Sequence, residues 1–434
     1  MSTRAKKYLA KRERYGANHY KPNTKVVFEH AKGIYLRDTE GKIYIDAASG
    51  YSSVNLGHNH PAIRRAGKSL YAADKNGWGI VSVVPNAFLT VAQADFLEHA
   101  CKFLGADRAI ATNGGAEGME TAIKLMLKWG YTRKNIPEEG ARIVMFEGNF
   151  HGRTTTLVAG SSEKKYREHF GPYAKNIVTL PYNDIHALEI LLSSMGDRVA
   201  GIVIEPIQGE GGVRIPKAGY LAECYALCKK HNVIFCADEI QTGLGRTGML
   251  LASWHEGVKP DIFVLAKSLG AGKNATAIVF AKEEFMCFEW GEHGSTYGGN
   301  AAAMTLALEV LRVIEKEKLC ERSLEMGDIL FCAIANELRI HSLVREVRGR
   351  GLMIGIELAE GVSAERVIDL LLEHGVMTKD AHGVIRITPP LIITKKQCAE
   401  LAKRIGAAFR ALAIEHARNL ARKGSCLCGK IACK

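Results

Sequence analysis

The sequence predicts an α/β protein with a large, mostly parallel central sheet and a second, smaller α+β unit. Between residues 108 and 283, short apolar runs that end on polar residues or glycine alternate with helical patterns. This alternation is typical of parallel strands joined by crossover helices. The pattern of predicted elements then changes. It gives a long helix at 301–316, two strands at 344–358, a helix at 365–374, a strand at 384–393 and a closing helix at 397–417.

The composition is that of an ordinary globular chain. Its 434 residues are 47% hydrophobic and 24% charged, which is enough to bury a large core and to form two or more domains. The net charge of +12 is spread along the chain without a nucleic-acid-binding motif, so we expect anionic small-molecule substrates and no nucleic acid. The 11 cysteines are scattered in mostly apolar settings, which favours reduced thiols over disulfides.

The apolar runs and the first residues of the chain indicate where in the cell the protein is expected. No apolar run is long enough to span a bilayer, so no membrane partner is expected. The first residues, MSTRAKKYLAKRERYG, are basic but lack the apolar core of a secretion signal. A short mitochondrial presequence is the alternative; Glu13 and the short lead before the body of the chain argue against it. A cytoplasmic location is expected.

The first elements in chain order are a hairpin and a glycine-rich loop. Residues 33–46 form two alternating runs around Glu40-Gly41, which predicts a pair of short strands. The loop GYSSVNLGHNHP at 50–61 contains His58 and His60. Metal sites of this kind usually need four ligands, and no nearby cysteine or carboxylate cluster completes a set. Both histidines are therefore expected to be structural, and no metal site is predicted.

Residues 108–130 predict a strand, a glycine-rich turn and a helix. The turn contains Gly114, Gly115 and Ala116, directly before the helical pattern. Backbone N–H groups and the helix dipole at such a turn can hold a phosphate group. The alternative is a tight turn without a ligand, because glycine is the usual turn residue.

Two further strands end in candidate site residues. The strand at 143–146 is followed by Phe150 and Arg153, which could stack on a flat ring and bind a carboxylate. Core packing is the alternative for Phe150. The strand that begins GIVIEPIQGEGG at 201 is followed by the carboxylates of Glu205 and Glu210, which could pair with cations at the same edge of the sheet.

The central stretch, residues 233–269, contains two apolar runs. The first ends on Asp238 and the second on Lys267, and the length between them suits a crossover connection. Neighbouring parallel strands would bring this carboxylate and this amine to one crevice. An aldehyde cofactor with a ring nitrogen needs such a pair, a lysine for the Schiff base and an aspartate to keep the nitrogen protonated. We therefore predict a pyridoxal phosphate site; the alternative is that both residues only solvate or cap strand ends.

The chain ends in GSCLCGKIACK, with Cys426, Cys428 and Cys433 close together. A fourth ligand and the usual spacing of a metal knuckle are missing. A disordered terminus is expected instead.

With these pieces in order, the chain resembles the class III aminotransferases, which use pyridoxal phosphate, and among them the members that act on ornithine. The resemblance covers about residues 15–411 and rests on EPIQGEGGV, ADEIQTGLGRTG, HGSTYGGN and EVRGRGLMIGIEL, with GYSSVNLGHNHP and HGVIRITPP in support. It implies fold type I, with a small domain built from both termini. The implied parts are an N-terminal segment at 1–55 that packs with the small domain, the large cofactor-binding domain at 56–305, the small domain at 306–420 and a tail at 421–434.

For the cofactor, the resemblance implies a role for each matching residue. Lys267 would carry the cofactor and move the proton, Asp238 would keep the ring nitrogen protonated, and Gln241 would bind the phenolic oxygen. The remaining residues are Phe150 and Ile240 on the faces of the ring, Gly114, Gly115 and Ala116 at the phosphate, and Ser295 and Thr296 reaching the phosphate of the neighbouring subunit. A homodimer with shared active sites follows from this resemblance.

The resemblance also implies how substrates bind. Arg153 would bind a distal carboxylate, and Arg386 the carboxylate beside the reacting carbon. Glu210 would pair with Arg386 while a terminal amine reacts, and Tyr51 would orient the far end of ornithine. The implied reaction moves the δ-amino group of ornithine to 2-oxoglutarate, giving glutamate 5-semialdehyde and glutamate in two half-reactions.

The chain departs from the ornithine-acting pattern in three places. Residues 81–86, VSVVPN, lack the usual aromatic or histidine; Gly114 replaces a serine or threonine; and GAGKNA at 270–275 replaces a turn with Phe-Pro. The apolar wall at 81–86 leaves 4-aminobutyrate, lysine or acetylornithine open as the donor. A decarboxylase, mutase or racemase on the same scaffold and a non-enzymatic binding protein are the remaining alternatives.

Overall fold

The computed structural model describes residues 3–21, 25–339 and 342–428, with side chains as far as residue 418. Its strands are, in chain order, β1 Phe28–Lys32, β2 Tyr35–Asp38, β3 Ile43–Asp46, β4 Arg108–Thr112, β5 Arg142–Phe146, β6 Ile177–Leu180, β7 Val199–Ile204, β8 Ile234–Asp238, β9 Ile262–Leu265, β10 Ala277–Ala281, β11 Val344–Arg350, β12 Met353–Leu358, β13 Val376–Met377, β14 Lys379–Ala381 and β15 Val384–Ile387. Its α-helices are α1 Thr3–Tyr15, α2 Ser49–Ser52, α3 Pro61–Ser69, α4 Val91–Leu104, α5 Gly115–Thr132, α6 Thr155–Ala159, α7 Lys164–Arg167, α8 Ile185–Met195, α9 Tyr220–Lys230, α10 Ala301–Lys316, α11 Leu319–Leu338, α12 Ala364–Glu373 and α13 Lys395–Cys428.

A seven-stranded sheet lies at the centre of the large unit, in the order β4-β10-β9-β8-β7-β5-β6. The five strands from β9 to β6 run parallel, whereas β10 is antiparallel to both β4 and β9. Every residue of β7, β8, β9 and β10 is buried, as expected for a sheet that is covered on both faces. The predicted α/β class with a mostly parallel sheet is confirmed.

The smaller unit is built from both ends of the chain, as the resemblance implies. Strand β3 pairs in parallel with β13, so the sheet β1-β2-β3-β13 joins the first and last parts of the sequence. A second, antiparallel sheet has the order β11-β12-β15-β14 and packs against α11 and α12. The exact domain limits stay a prediction, and α10 crosses the limit placed at residue 305.

Two predicted elements have different ends in the structure. Strand β15 ends at Ile387, short of the predicted 393, because Pro389 and Pro390 cannot donate to a strand ladder. Helix α13 continues to Cys428, although disorder is expected from residue 421. The reason is composition, since residues 411–423 are rich in alanine, leucine and arginine and glycine first appears at Gly424. The assignment of 421–434 as a separate tail stays a prediction, and Cys433 lies outside the described residues.

The two loop histidines have structural partners. His58 Nε2 lies 2.8 Å from Asp46 Oδ2. His60 caps α3, since its Nδ1 accepts the N–H of Ala62 at 3.3 Å, and its Nε2 lies 3.2 Å from Glu317 Oε1. In the described part of the chain, no three His, Cys, Asp or Glu side chains are grouped so as to hold a metal ion. Among the same residues, no helix combines the length and apolar character needed to cross a bilayer.

Arg246 connects the loop after β8 to the smaller unit. Its side chain is completely buried and donates to the carbonyls of Leu352 at 2.9 Å and Pro389 at 2.6 Å, and to Asn55 Oδ1 at 2.5 Å. Burial lowers the pKa of Arg246 to about 9, although the charge of Asp46 opposes this shift. One guanidinium thus joins the large unit, the N-terminal segment and the strand end beyond β15.

We expect Arg246→Ala to lower the free energy of unfolding by about 3 kcal/mol or more, because each buried acceptor that loses its donor costs about 1–3 kcal/mol. Denaturant unfolding measures the loss. The matched control is Arg345→Ala, since the guanidinium of Arg345 is 76% exposed and pairs with Glu357; its expected loss is less than about 1 kcal/mol. Equal losses in the two variants would contradict the connecting role of Arg246.

Candidate active site

A cavity of about 640 Å³ lies at the carboxyl ends of β8 and β9. Asp238 is the last residue of β8, and Lys267 follows shortly after the end of β9. The parallel pairing sets Asp238 beside Val264, so the two candidate residues emerge at the same edge of the sheet. Both side chains line the cavity, and the structure therefore brings this carboxylate and this amine together.

Lys267 has an unusual backbone and a shifted pKa. Its φ of +46° lies in the left-handed region, which costs a non-glycine residue roughly 1–2 kcal/mol and is found mainly where surrounding structure enforces it. Burial lowers the pKa of the half-buried amine, while the carboxylates of Glu210 and Asp238 raise it and only partly compensate. A lower pKa increases the fraction of neutral amine, which is the nucleophilic form.

Asp238 is held by a histidine that no sequence motif indicates. Its Oδ2 lies 2.7 Å from Nδ1 of His151, and its Oδ1 accepts the N–H of Ile240 at 3.1 Å. Burial by itself lowers the pKa of His151, but the hydrogen bond and the charge of Asp238 outweigh it and the net shift is upward. His151 thus orients the Asp238 carboxylate within the cavity wall.

Glu205 is a second buried carboxyl group behind the cavity. It is 6% exposed and accepts the N–H groups of Phe150 at 2.7 Å and Gly209 at 3.2 Å. Burial raises the pKa of Glu205 to about 7, although the charge of His151 and the two N–H groups lower it. Glu205 therefore positions the loop that carries Phe150 and His151, and it changes charge near neutral pH.

This shift predicts a pH-dependent stability. Because the folded pKa of about 7 lies above the ordinary value of 4.5, the contribution of Glu205 is most favourable at low pH and is lost as the pH rises through 7. We expect the stability of the wild type relative to Glu205→Gln to fall between pH 5 and pH 8. Denaturant unfolding of the cofactor-saturated proteins at pH 5, 6.5 and 8 measures this difference, and a constant difference would contradict the raised pKa.

The predicted phosphate end is the start of α5. Gly114 is the residue before the helix, and its carbonyl accepts the N–H of Gly118 at 2.9 Å. The N–H groups of Gly115 and Ala116 belong to the first turn, where no acceptor within the helix is available. Gly114, Gly115 and Ala116 all line the cavity, and a side chain at Gly115 would approach Ile240 to 3.0 Å. The helix start thus presents bare N–H groups to the cavity.

The predicted ring-binding residues line the same cavity. Phe150 and Ile240 contribute apolar walls, and Gln241 contributes an amide that is 8% exposed. A Cβ at Gly209 would lie 1.3 Å from Gln241 Oε1, so only glycine leaves room for this amide. The cavity therefore combines two apolar faces with a polar edge, which suits a flat aromatic ring bearing an oxygen.

The outer part of the cavity contains Arg153 among aromatic rings. Its guanidinium carbon lies 4.3 Å from the ring centroid of Tyr166, 5.7 Å from that of Phe150 and 5.8 Å from that of Tyr20. Cation–π contacts of this kind hold a guanidinium in place without neutralising its charge. Tyr20 also lines the cavity, and no sequence pattern indicates this because Tyr20 belongs to the N-terminal segment, far from the sheet in sequence.

Arg386 and Glu210 form an ion pair at the edge of the cavity. Arg386 is 5% exposed, and its Nη1 donates to Glu210 Oε1. The guanidinium also lies 5.1 Å from the ring centroid of Tyr51, whose backbone adopts a φ of +59°. The structure thus brings together three of the four predicted substrate residues, and Glu210 also lines the cofactor cavity.

Ser295 and Thr296 lie apart from the cavity lining of their own chain. Ser295 Oγ accepts the side-chain N–H of Asn113 at 2.8 Å, and Asn86 donates to the Ser295 carbonyl. Thr296 borders a small pocket together with residues of the 81–86 segment. Their implied role at the neighbouring subunit's phosphate stays a prediction.

Fold and site together define the protein class. The chain belongs to the class-III aminotransferase family, whose sequence model matches residues 15–409. An ornithine aminotransferase of Halalkalibacterium halodurans is 43% identical over 390 residues, which cover 89% of this chain and 94% of the relative. A solved ornithine aminotransferase from Toxoplasma gondii has a TM-score of 0.90 at 35% identity, covering 96% of both chains. A solved acetylornithine aminotransferase from Elizabethkingia anophelis has a TM-score of 0.83 at 36% identity, covering 94% of this chain and 99% of the other.

Members of this family are pyridoxal phosphate enzymes, and the Toxoplasma gondii structure is described with the cofactor at partial occupancy in its active site. The residues of the present cavity fit this group. The buried carboxylate of Asp238 accepts two hydrogen bonds and keeps further lone pairs for a ring nitrogen. The helix start at Gly115 offers N–H groups for a phosphate, and Lys267 offers an amine of lowered pKa. The cofactor prediction is therefore confirmed at the level of the family.

Proposed function

We propose that the protein transfers the δ-amino group of ornithine to 2-oxoglutarate, giving glutamate 5-semialdehyde and glutamate. The observation that carries the proposal is the ion pair between Glu210 and Arg386, which covers one carboxylate-binding cation while Arg153 carries no ion pair in the described chain. An amino acid whose terminal amine reacts needs this arrangement, because an uncovered Arg386 would bind its α-carboxylate and present the wrong amine. The ornithine aminotransferases among the relatives support the same donor.

In the donor half-reaction, the chain's residues bind and move protons. Bound pyridoxal phosphate supplies an electron sink for the carbon that carries the amine. The amine of Lys267 would take the proton from the δ-carbon of the donor and deliver it to the cofactor carbon that receives the amino group, and Asp238 would keep the pyridine nitrogen protonated. Arg153, with Tyr20 and Tyr166 around it, holds the far carboxylate of the donor.

In the acceptor half-reaction, 2-oxoglutarate brings two carboxylates to the same cavity. Arg153 binds the distal carboxylate, and Arg386 binds the carboxylate beside the keto carbon. Each guanidinium thus pairs with one carboxylate of the substrate. The pair between Glu210 and Arg386 must open for this substrate. The two half-reactions therefore differ in the position of the Glu210 carboxylate. This one movement allows a single site to accept two substrates of different charge.

A second donor class has a specific observation in its favour. The wall segment at 81–86 is apolar, and Val81 and Val84 border a groove with α3 and α10 outside the cofactor cavity of their own chain. If a neighbouring subunit contributes this wall, it lacks a polar contact for the α-amino group of ornithine. Acetylornithine, lysine or 4-aminobutyrate would then serve as the donor, and the similarity to the Elizabethkingia anophelis enzyme fits the first of these.

A donor panel with 2-oxoglutarate tests the proposal. We expect ornithine to have the highest kcat/KM, by about 10-fold or more over 4-aminobutyrate, lysine and acetylornithine, the discrimination that one or two pocket contacts provide. Glutamate formation measures turnover, and Val84→Tyr serves as the matched variant for the wall. A clear preference for acetylornithine or 4-aminobutyrate in the wild type would overturn the ornithine assignment. Turnover without glutamate formation would instead point to a decarboxylase, mutase or racemase.

We also propose that the active form is a homodimer. The segment before α4 exposes large apolar side chains, with Tyr71 92%, Trp78 78%, Phe88 65% and Leu89 70% exposed. Apolar surface of this extent is typical of an interface. Sedimentation equilibrium tests it, and a monomer that retains full activity would contradict it. A cytoplasmic location stays a prediction.

A further inference from the structure

Glu210 must leave Arg386 before a substrate carboxylate can take its place. Arg386 is 5% exposed and its guanidinium faces Glu210 and the ring of Tyr51, so Glu210 occupies the position in which a substrate carboxylate would pair with this cation. Two carboxylates on one buried guanidinium would also repel each other. The proposed acceptor half-reaction therefore needs a second resting position for the Glu210 carboxylate.

A second cavity lies on the other side of Glu210. It has a volume of about 610 Å³ and is bordered by the loop after β5, by residues near α7 and by the edge of the smaller unit. Glu210 and Phe150 line both this cavity and the cofactor cavity. A rotation of the Glu210 side chain can therefore move its carboxylate from one cavity to the other without any rearrangement of the strands.

Three side chains around the second cavity can carry a positive charge, and two of them already have partners. Arg348 donates to the carbonyls of Gly212 at 2.7 Å and Val213 at 3.0 Å, and it pairs with Glu346 and Glu357. His382 lies 3.6 Å from Glu163. These two groups have little capacity left for another carboxylate.

Arg214 is the third. Its guanidinium makes no ion pair with any residue that the structure describes, and its closest ring contact is Tyr182, 6.0 Å from the ring centroid. The backbones of Gln208 and Arg214 bond to each other at 3.1 and 3.0 Å, which closes the intervening residues into one turn that includes Glu210. Arg214 and Glu210 thus belong to the same closed turn and face the same cavity.

We propose that Arg214 receives the Glu210 carboxylate while a dicarboxylate substrate occupies Arg386. Arg214 is then a positioning residue, since it acts on the substrate only through Glu210. The inference rests on the proposed exchange of carboxylates at Arg386, and it concerns the acceptor half-reaction whichever amine is the donor. It explains how one site binds an amine-terminated donor and a dicarboxylate in turn.

Single-turnover absorbance changes of the holoenzyme test the role of Arg214 in each half-reaction separately. We expect Arg214→Met to weaken apparent binding of 2-oxoglutarate by about 5-fold, the effect of an ion pair worth about 1 kcal/mol. Ornithine binding should change by less than about 2-fold, because Glu210 stays on Arg386 in that half-reaction. Calorimetric binding of glutarate, which does not react, should weaken by the same factor as 2-oxoglutarate. Arg345→Met, which removes an exposed arginine paired with Glu357, should alter none of these values.

A double-mutant cycle with Glu210→Gln decides whether Arg214 acts through Glu210. In the Glu210→Gln background, Arg214→Met should have no further effect on glutarate binding. An unchanged 5-fold effect in that background, or an equal effect on both half-reactions, or no effect in the wild type, would each overturn the proposal. If an amine other than ornithine is the donor, the glutarate measurement still reports on Arg214. Failure of the ornithine assignment is therefore distinguishable from failure of the Arg214 proposal.

Discussion

Replacing Lys267 by alanine should abolish turnover, with kcat lower by about 10⁴-fold or more. On the proposed roles, the variant loses both the amine that would attach the cofactor and the base that would move the proton, whereas the rest of the cavity lining stays in place. Steady-state kinetics with the preferred donor and 2-oxoglutarate measure the loss. Equilibrium dialysis should show that the variant still binds pyridoxal phosphate, without covalent attachment.

The matched control for this variant is Lys259→Ala. Lys259 is an exposed lysine in the connection that precedes β9, so its removal leaves the cavity untouched. We expect its kcat to stay within about 2-fold of the wild type, as is usual for surface substitutions. A Lys267→Ala variant that retains a tenth of wild-type turnover would contradict the assignment of Lys267 as the attachment site.

Asp238→Asn should give the second largest loss, with kcat lower by about 10²- to 10⁴-fold. A neutral amide cannot keep the pyridine nitrogen protonated, and the amide also loses the charge that raises the pKa of His151. The visible absorbance of the bound cofactor should therefore become dependent on pH in a range where the wild type is constant. This spectrum provides a readout that does not depend on turnover.

Asp184→Asn is the matched control for Asp238→Asn. Asp184 caps α8 by accepting the N–H of Ala187 at 3.1 Å, and asparagine caps helices about as well as aspartate. We expect neither its kcat nor its cofactor spectrum to change. An Asp238→Asn variant with near-wild-type kcat and spectrum would show that Asp238 does not control the ring nitrogen.

The central sheet and the residues at its edge could be predicted because their cause is local. The apolar runs that become β8 and β9 are short, rich in β-branched and aromatic residues, and separated by a crossover length, so a parallel pair follows directly. Asp238 and Lys267 are the polar residues that end these runs. Their meeting at one cavity follows from strand pairing alone.

Other parts depend on tertiary contacts that no local pattern contains. The antiparallel direction of β10 is invisible in an apolar run, since the run reads the same in both directions. His151 and Tyr20 act through Asp238 and Arg153, which are distant in sequence, and only the folded chain joins them. The pair between Glu210 and Arg386 could be inferred only from the resemblance to a known family, because the two residues lie on different units of the fold.

The most direct test is to locate the covalent attachment of the cofactor. Borohydride reduction of the holoenzyme fixes the cofactor to its lysine, and peptide mapping by mass spectrometry then identifies that residue. We predict modification of the peptide that contains Lys267, and no modification in Lys267→Ala. Attachment to Lys273, which borders the same cavity, or transamination by a protein that carries no covalent cofactor, would contradict the account.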